Sequence, residues 1–142
     1  MFDTIYSQVG AVFTVLVAVF AFVKGDEPER VGAGAFLLAA LAGLLIQDEG
    51  AANGPHWGLM ALDIVLLAIF GGLVWKSRRA WPVWACALQA LIVSSHIMVV
   101  LDLRPPAVAF YTVINLAGYG VLVALAVGTF WAWQERRAAG LE

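Results

Sequence analysis

Three polar residues, Asp63, His96 and Asn115, lie inside long apolar stretches of a 142-residue chain. A carboxyl group beside an imidazole can share one proton with it or form an ion pair, and a carboxamide offers both a donor and an acceptor. Membrane proteins use such groups to bind polar headgroups or to move protons. The three residues therefore form a candidate polar centre, provided that the segments that carry them bring them together.

The composition identifies these segments as membrane helices. Hydrophobic residues make up 63% of the chain and charged residues only 13%, against about 45–50% and about 25% in soluble domains. Continuous apolar runs near or above 18 residues are typical of helices that span a bilayer. The sequence predicts an all-α integral membrane bundle that forms a single domain over residues 1–142. Its five transmembrane helices are predicted at about 6–23, 30–46, 57–75, 80–103 and 107–133.

The Lys and Arg residues predict the orientation of this bundle, because cytoplasmic loops carry the excess of both. With five spans, Arg104 lies alone on one side, and the other side holds the remaining seven basic residues: Lys24, Arg30, Lys76, Arg78, Arg79, Arg136 and Arg137. We therefore expect the N-terminus outside and the C-terminus in the cytoplasm, in a bacterial inner membrane. Five tryptophans are expected to anchor the inner boundary: Trp75, Trp81, Trp84, Trp131 and Trp133.

Depth within the helices suggests that the polar groups meet. Counted from the outer ends, Asp63 lies about six residues inside the third segment, His96 about five inside the fourth and Asn115 about eight inside the fifth. An unpaired charge at depth costs roughly 2.5–3.5 kcal/mol or more, so such groups seek partners. Tyr119 extends the stripe by one helical turn, and Gln89, on the face of His96, is expected to carry it toward the inner leaflet. The cluster is interpreted either as a clamp between helices or as a ligand or proton site.

Two segments carry small residues at intervals of four, a spacing that lets membrane helices approach closely. These residues are Ala35, Ala39 and Gly43 in the second segment, and Gly120, Ala124 and Gly128 in the fifth. They are interpreted either as packing seams within the bundle or as a surface for another subunit.

Several chemistries have no support in the sequence. A lone Cys86 allows neither an intrachain disulfide nor a two-cysteine metal site, and the net charge of −2 does not suggest nucleic acid. His56 and His96 lie at different depths, which disfavours haem ligation by both. No catalytic motif is present, no metal site or cofactor is implied, and a non-enzymatic role is favoured.

The first functional hypothesis is therefore a small accessory or scaffold subunit of a larger membrane complex, packed through its small-residue seams. The alternative is a protein that binds a small ligand (a quinone or a lipid) or handles protons through an Asp63–His96 pair. An enzyme acting on a lipid in the outer leaflet has the weakest support, which is the depth of that pair alone.

Overall fold

A computed structural model describes residues 5–46, 57–103 and 106–141 of the chain. Within these ranges the chain is helical, as the composition predicts. Its helices are α1 (Ile5–Lys24), α2 (Glu27–Ile46), α3 (Trp57–Ser77), α4 (Trp81–Val100) and α5 (Ala107–Ala138). Helices α2 to α5 are long and apolar enough to cross a membrane, and α1 offers a shorter apolar stretch, Gln8–Lys24. These lengths and compositions are those of a multi-pass membrane protein. Arg104 and His56 lie outside the described residues.

Three predicted helix bounds differ from the observed ones by three residues or more. Helix α2 begins at Glu27, three residues early, because the backbone N–H of Asp26 donates to Oε2 of Glu29 at 3.1 Å. This is the contact of a capping box, which fixes a helix start. Helix α4 ends at Val100 rather than 103, where Asp102 adopts a left-handed conformation with φ 58°. Helix α5 continues to Ala138 rather than 133, because its polar last turns consist of good helix formers.

The helices pack as a closed ring in chain order. Each contacts its neighbour in sequence, and α1 returns to contact α5, which also touches α2. One end of this ring collects the last turns of α1, α3 and α5, with Lys24, Lys76 and Arg136. We call it the basic end, and the other the opposite end.

Trp81 fills the core near the basic end, although its residue type predicts a membrane-boundary anchor. It is only 4% exposed, and its ring meets that of Phe70 edge to face at 6.1 Å. Glycines on two other helices make room for the indole: a Cβ at Gly32 or Gly128 would lie 2.4 or 2.2 Å from an atom of its ring. The expected anchor is thus a packing centre that joins α2, α3, α4 and α5.

A buried carboxylate, that of Glu29, holds the turns of the basic end together. Its Oε1 accepts a hydrogen bond from Nε1 of Trp81 at 3.2 Å and lies 3.7 Å from Nε of Arg79. Arg79 also pairs with Asp26 at 2.6 Å, and Arg136 forms a second ion pair with the same aspartate. Because a buried charge must be paired to be tolerated, this network fixes the α1–α2 turn against the α3–α4 turn and the last turns of α5.

Replacing Gly128 with Ala should destabilise the bundle, because the added methyl group would overlap Trp81. Overpacking of this kind typically costs about 1–3 kcal/mol. Gly72→Ala is the matched control, since a Cβ at that exposed helical position meets no atom within 4 Å. Thermal unfolding in detergent should show a lower midpoint for Gly128→Ala and an unchanged or higher one for Gly72→Ala. Equal midpoints would contradict the packing role of Gly128.

Candidate functional site

The carboxylate of Asp63 bridges two residues of α4. Its Oδ2 lies 2.9 Å from Nε2 of His96, and its Oδ1 accepts a hydrogen bond of 2.9 Å from Nε2 of Gln89. The same Gln89 amide also donates to the backbone carbonyl of Asp63 at 3.1 Å. The two α4 residues are seven positions apart, so they lie on one face, two turns apart. One carboxylate of α3 thus contacts two α4 side chains that are two turns apart.

The three side chains differ in exposure. His96 is 5% exposed and Gln89 only 1%, whereas the side chain of Asp63 keeps 24% of its surface accessible. Phe110 of α5 covers the imidazole edge to face, with ring centroids 5.9 Å apart. The histidine is therefore enclosed by protein behind the carboxylate, and Asp63 is the most accessible of the three side chains.

The accessible side of Asp63 opens on a cavity of about 490 Å³ at the centre of the helix ring. All five helices contribute to its wall, which combines apolar side chains with a few polar groups. The lining residues are Gly10, Thr14, Phe36, Ala39, Asp63, Leu66, Gln89, Ile92, Ile114, Asn115, Gly118, Tyr119 and Leu122. A largely apolar pocket with a few convergent polar groups is the usual form of a small-molecule site.

The polar residues singled out in the sequence divide into two groups around this cavity. Asp63, Gln89, Asn115 and Tyr119 line it, and His96 stands behind Asp63, outside the lining. Gln89 lies on the same face of α4 as His96, two turns nearer the basic end, and its amide donates to Asp63. The structure brings Asp63 and His96 into contact, and it places Asn115 across the cavity as an exposed residue.

Tyr119 is held at the cavity wall by helix α1. Its ring packs against that of Phe13 with centroids 5.9 Å apart. Its hydroxyl lies close to the backbone at Gly10, where a Cβ would be 3.0 Å from Oη. The hydroxyl of Thr14 donates to the Gly10 carbonyl at 2.8 Å. This contribution of α1 was not predicted from the sequence. A glycine and a threonine four residues apart lie on one face of a helix, and in an apolar helix they indicate a face that is small and partly polar.

The small-residue seams pack within the chain. Ala35, Ala39 and Ala124 are partly buried against the hydrophobic core. Gly43 faces Leu59 of α3, where a Cβ would lie 3.5 Å from that side chain. Gly120 and Gly128 face α4, where a Cβ would come within 2.7 Å of Leu88 and 2.2 Å of Trp81. Both seams thus serve contacts between helices of one chain.

The chemistry available at the cavity is hydrogen bonding and proton exchange. Asp63 accepts a donor from a ligand, while Tyr119 and Asn115 offer donors and acceptors. When the carboxyl group is ionised, Nε2–H of His96 donates to it and offsets its charge. Among the residues that the structure describes, no group of three or more His, Cys, Asp and Glu side chains is placed to hold a metal ion.

Removing the imidazole should leave the Asp63 carboxylate short of one partner inside the bundle. We expect His96→Ala to lower the free energy of unfolding by about 1–3 kcal/mol, the usual cost of an unsatisfied buried group. Ser94→Ala is the control, because Ser94 is exposed and donates only to the Ala90 carbonyl of its own helix. Chemical denaturation in detergent micelles measures both.

The same substitution made in an Asp63→Asn chain tests the electrostatic origin of that cost. An amide at position 63 carries no charge to offset, so His96→Ala should then cost clearly less. Such coupling between contacting residues is measured by a double-mutant cycle. Additive effects would contradict a direct interaction between the two side chains.

Comparison with known proteins adds no family to this geometry. No protein-family model, no curated protein and no solved structure matches the chain. A function for the chain therefore follows from the chemistry of the residues around the cavity.

Proposed function

We propose that the chain is a membrane protein that binds a small lipid-soluble ligand, a quinone or a lipid, in the cavity beside Asp63. The observation that carries the proposal is the arrangement of this carboxylate. It is anchored by Gln89 and His96 and accessible from a cavity of about 490 Å³. A structural clamp alone requires the hydrogen bonds but not the cavity.

The wall of the cavity supports a ligand with an apolar body and a polar head. Phe36, Leu66 and Ile92 supply apolar surface, which favours a ring or a short chain. Tyr119 provides a hydroxyl donor for a ligand carbonyl, and Asp63 accepts a ligand hydroxyl. A quinone headgroup offers the carbonyl and a quinol headgroup the hydroxyl, and the glycerol ester region of a lipid offers carbonyls.

His96 acts on such a ligand through Asp63. Because the imidazole is buried behind the carboxylate, it orients Asp63 and sets the charge that a ligand meets. When a ligand hydroxyl donates a hydrogen bond to the Asp63 carboxylate, His96 and Gln89 hold that carboxylate in place. His96 is therefore proposed as a positioning residue and Asp63 as the ligand contact.

We further infer that all five helices span a bacterial inner membrane, with the basic end in the cytoplasm and the N-terminus outside. The excess of Lys and Arg at that end supports this orientation. Green fluorescent protein fused at the C-terminal end should fluoresce, and alkaline phosphatase inserted within residues 47–56 should be active. The reverse pattern would overturn the orientation.

A role as an accessory or scaffold subunit of a larger membrane complex stays a second proposal. Its support in the sequence was the pair of small-residue seams, and these residues pack within the chain. What still supports it are exposed apolar side chains, such as Val12 and Val19 on α1 and Leu41 and Leu45 on α2. Other membrane subunits could cover these surfaces, and so could lipid.

Filling the cavity without disturbing its wall should abolish ligand binding. A Cβ at Gly118 meets no atom within 4 Å, although the residue lines the cavity. The longer side chain of Gly118→Leu should therefore enter the empty space. We expect this variant to bind a decyl-substituted benzoquinone at least about tenfold more weakly than the parent chain, a difference of ~1.4 kcal/mol. Equilibrium binding to the chain in phosphatidylcholine nanodiscs measures the difference.

Gly72→Leu is the matched control, because its position is equally open but lies outside the cavity. It should bind the quinone like the parent chain. Asp63→Asn should weaken binding of the corresponding quinol, whose hydroxyl donates to the Asp63 carboxylate, while leaving the cavity volume unchanged. Equal binding by all four chains would contradict the cavity site. If other membrane proteins also co-purified with the chain, that result would favour the accessory subunit.

A further inference from the structure

A second depression lies between α4 and α5, apart from the central cavity. It has a volume of about 820 Å³. Its floor is formed by small residues of α5 and by two α4 side chains packed on them, namely Gly120, Ala124, Gly128, Trp81 and Leu88. Its rims carry outward-facing apolar side chains with 47–68% of their surface exposed: Trp84, Val123, Val127 and Trp131. We call this depression the α4–α5 groove.

The length of the groove matches one leaflet of a bilayer. Its lining on α5 extends from Gly120 to Glu135, which corresponds to ~22 Å at 1.5 Å per residue. Half of a bilayer measured with its headgroup regions is about 20–22 Å. The groove can therefore accommodate one lipid chain along its floor and the attached headgroup at the basic end.

The mouth of the groove at the basic end carries charged side chains of both signs. Ser77, Arg78 and Arg79 line it, together with the carboxylate of Glu135. Arg79 lies 3.4 Å from Glu135 and also pairs with Asp26. Arg78 is exposed, and no carboxylate in the described part of the chain pairs with it. The mouth therefore combines one guanidinium available to an anion with a second that already offsets the nearby carboxylate.

Arg78 occupies a backbone position that normally favours glycine. It follows the last residue of α3 with φ 54°, the left-handed conformation that commonly ends a helix. A residue with a Cβ is strained in this conformation, whereas glycine is not. The local backbone therefore does not require an arginine at this position.

We propose that the α4–α5 groove binds one anionic phospholipid. Its phosphate lies against the exposed guanidinium of Arg78, and one acyl chain lies on the floor between Trp84 and Trp131. Charge complementarity selects the headgroup, because basic pockets between membrane helices attract anionic lipids. The tryptophans on the rims suit the headgroup level of a bilayer, where their rings have one apolar and one hydrogen-bonding edge.

Native mass spectrometry of the chain released from nanodiscs of equal phosphatidylglycerol and phosphatidylcholine tests this proposal. The parent chain should retain one phosphatidylglycerol in preference to phosphatidylcholine. Arg78→Gln should reduce that preference about fivefold, the loss expected for one cationic contact with an anionic lipid. Lys76→Gln removes a charge from the same segment but from outside the groove, so it should leave the preference unchanged.

Arg78→Gly separates lipid binding from folding. It removes the same guanidinium but relieves the left-handed backbone, so its unfolding midpoint in pure phosphatidylcholine should not fall. Its preference for phosphatidylglycerol should nevertheless fall as in Arg78→Gln. Equal losses in the Lys76 and Arg78 variants would overturn the proposal and indicate general surface charge. A dimer that retained no lipid would also overturn it, because a second copy would then cover the groove.

Discussion

A carboxylate inside an apolar helix bundle must be paired, and the pairing of Asp63 constrains the centre of this protein. Two α4 side chains reach the same carboxylate from levels two turns apart. Their positions fix both the rotation of α3 against α4 and the sliding of one helix along the other. Because lipid offers no partner to such a group, a displaced helix would leave a charge or an amide unsatisfied.

A second polar layer holds the bundle at the basic end. There the buried Glu29, together with Trp81, Arg79 and Asp26, joins residues up to 53 positions apart in sequence. The apolar core and the central cavity lie between these two layers. Apolar packing between membrane helices is weakly directional, since lipid tails are as apolar as the side chains. The two polar layers therefore define the register, and the small residues determine how closely the helices approach.

Much of this organisation can be predicted from the sequence, for identifiable reasons. The helices follow from continuous apolar runs, and contact between Asp63 and His96 follows from their similar depth. Helical spacing puts Gln89 on the face of His96, but it does not show that the amide bonds to Asp63, because a long flexible side chain can reach several partners. The burial of Trp81 depends on Gly32 and Gly128 in other helices, which one segment alone does not reveal. The capping-box spacing of Asp26 and Glu29 signals the start of α2, but neither the burial of Glu29 nor its contact with Trp81 follows from that spacing.

His96 holds the carboxylate of Asp63 beside an open cavity. Solid-state NMR of the chain in lipid bilayers, with labelled histidine imidazole nitrogens and aspartate carboxyl carbons, tests it most directly. A strong dipolar coupling between Nε2 of His96 and the carboxyl carbon of Asp63 is predicted from their hydrogen-bonded contact of 2.9 Å. Added decyl-benzoquinone should shift the carboxyl resonance of Asp63. Absence of the coupling would contradict this view of the site. So would an Asp63 carboxyl resonance that did not shift at a saturating concentration of the quinone.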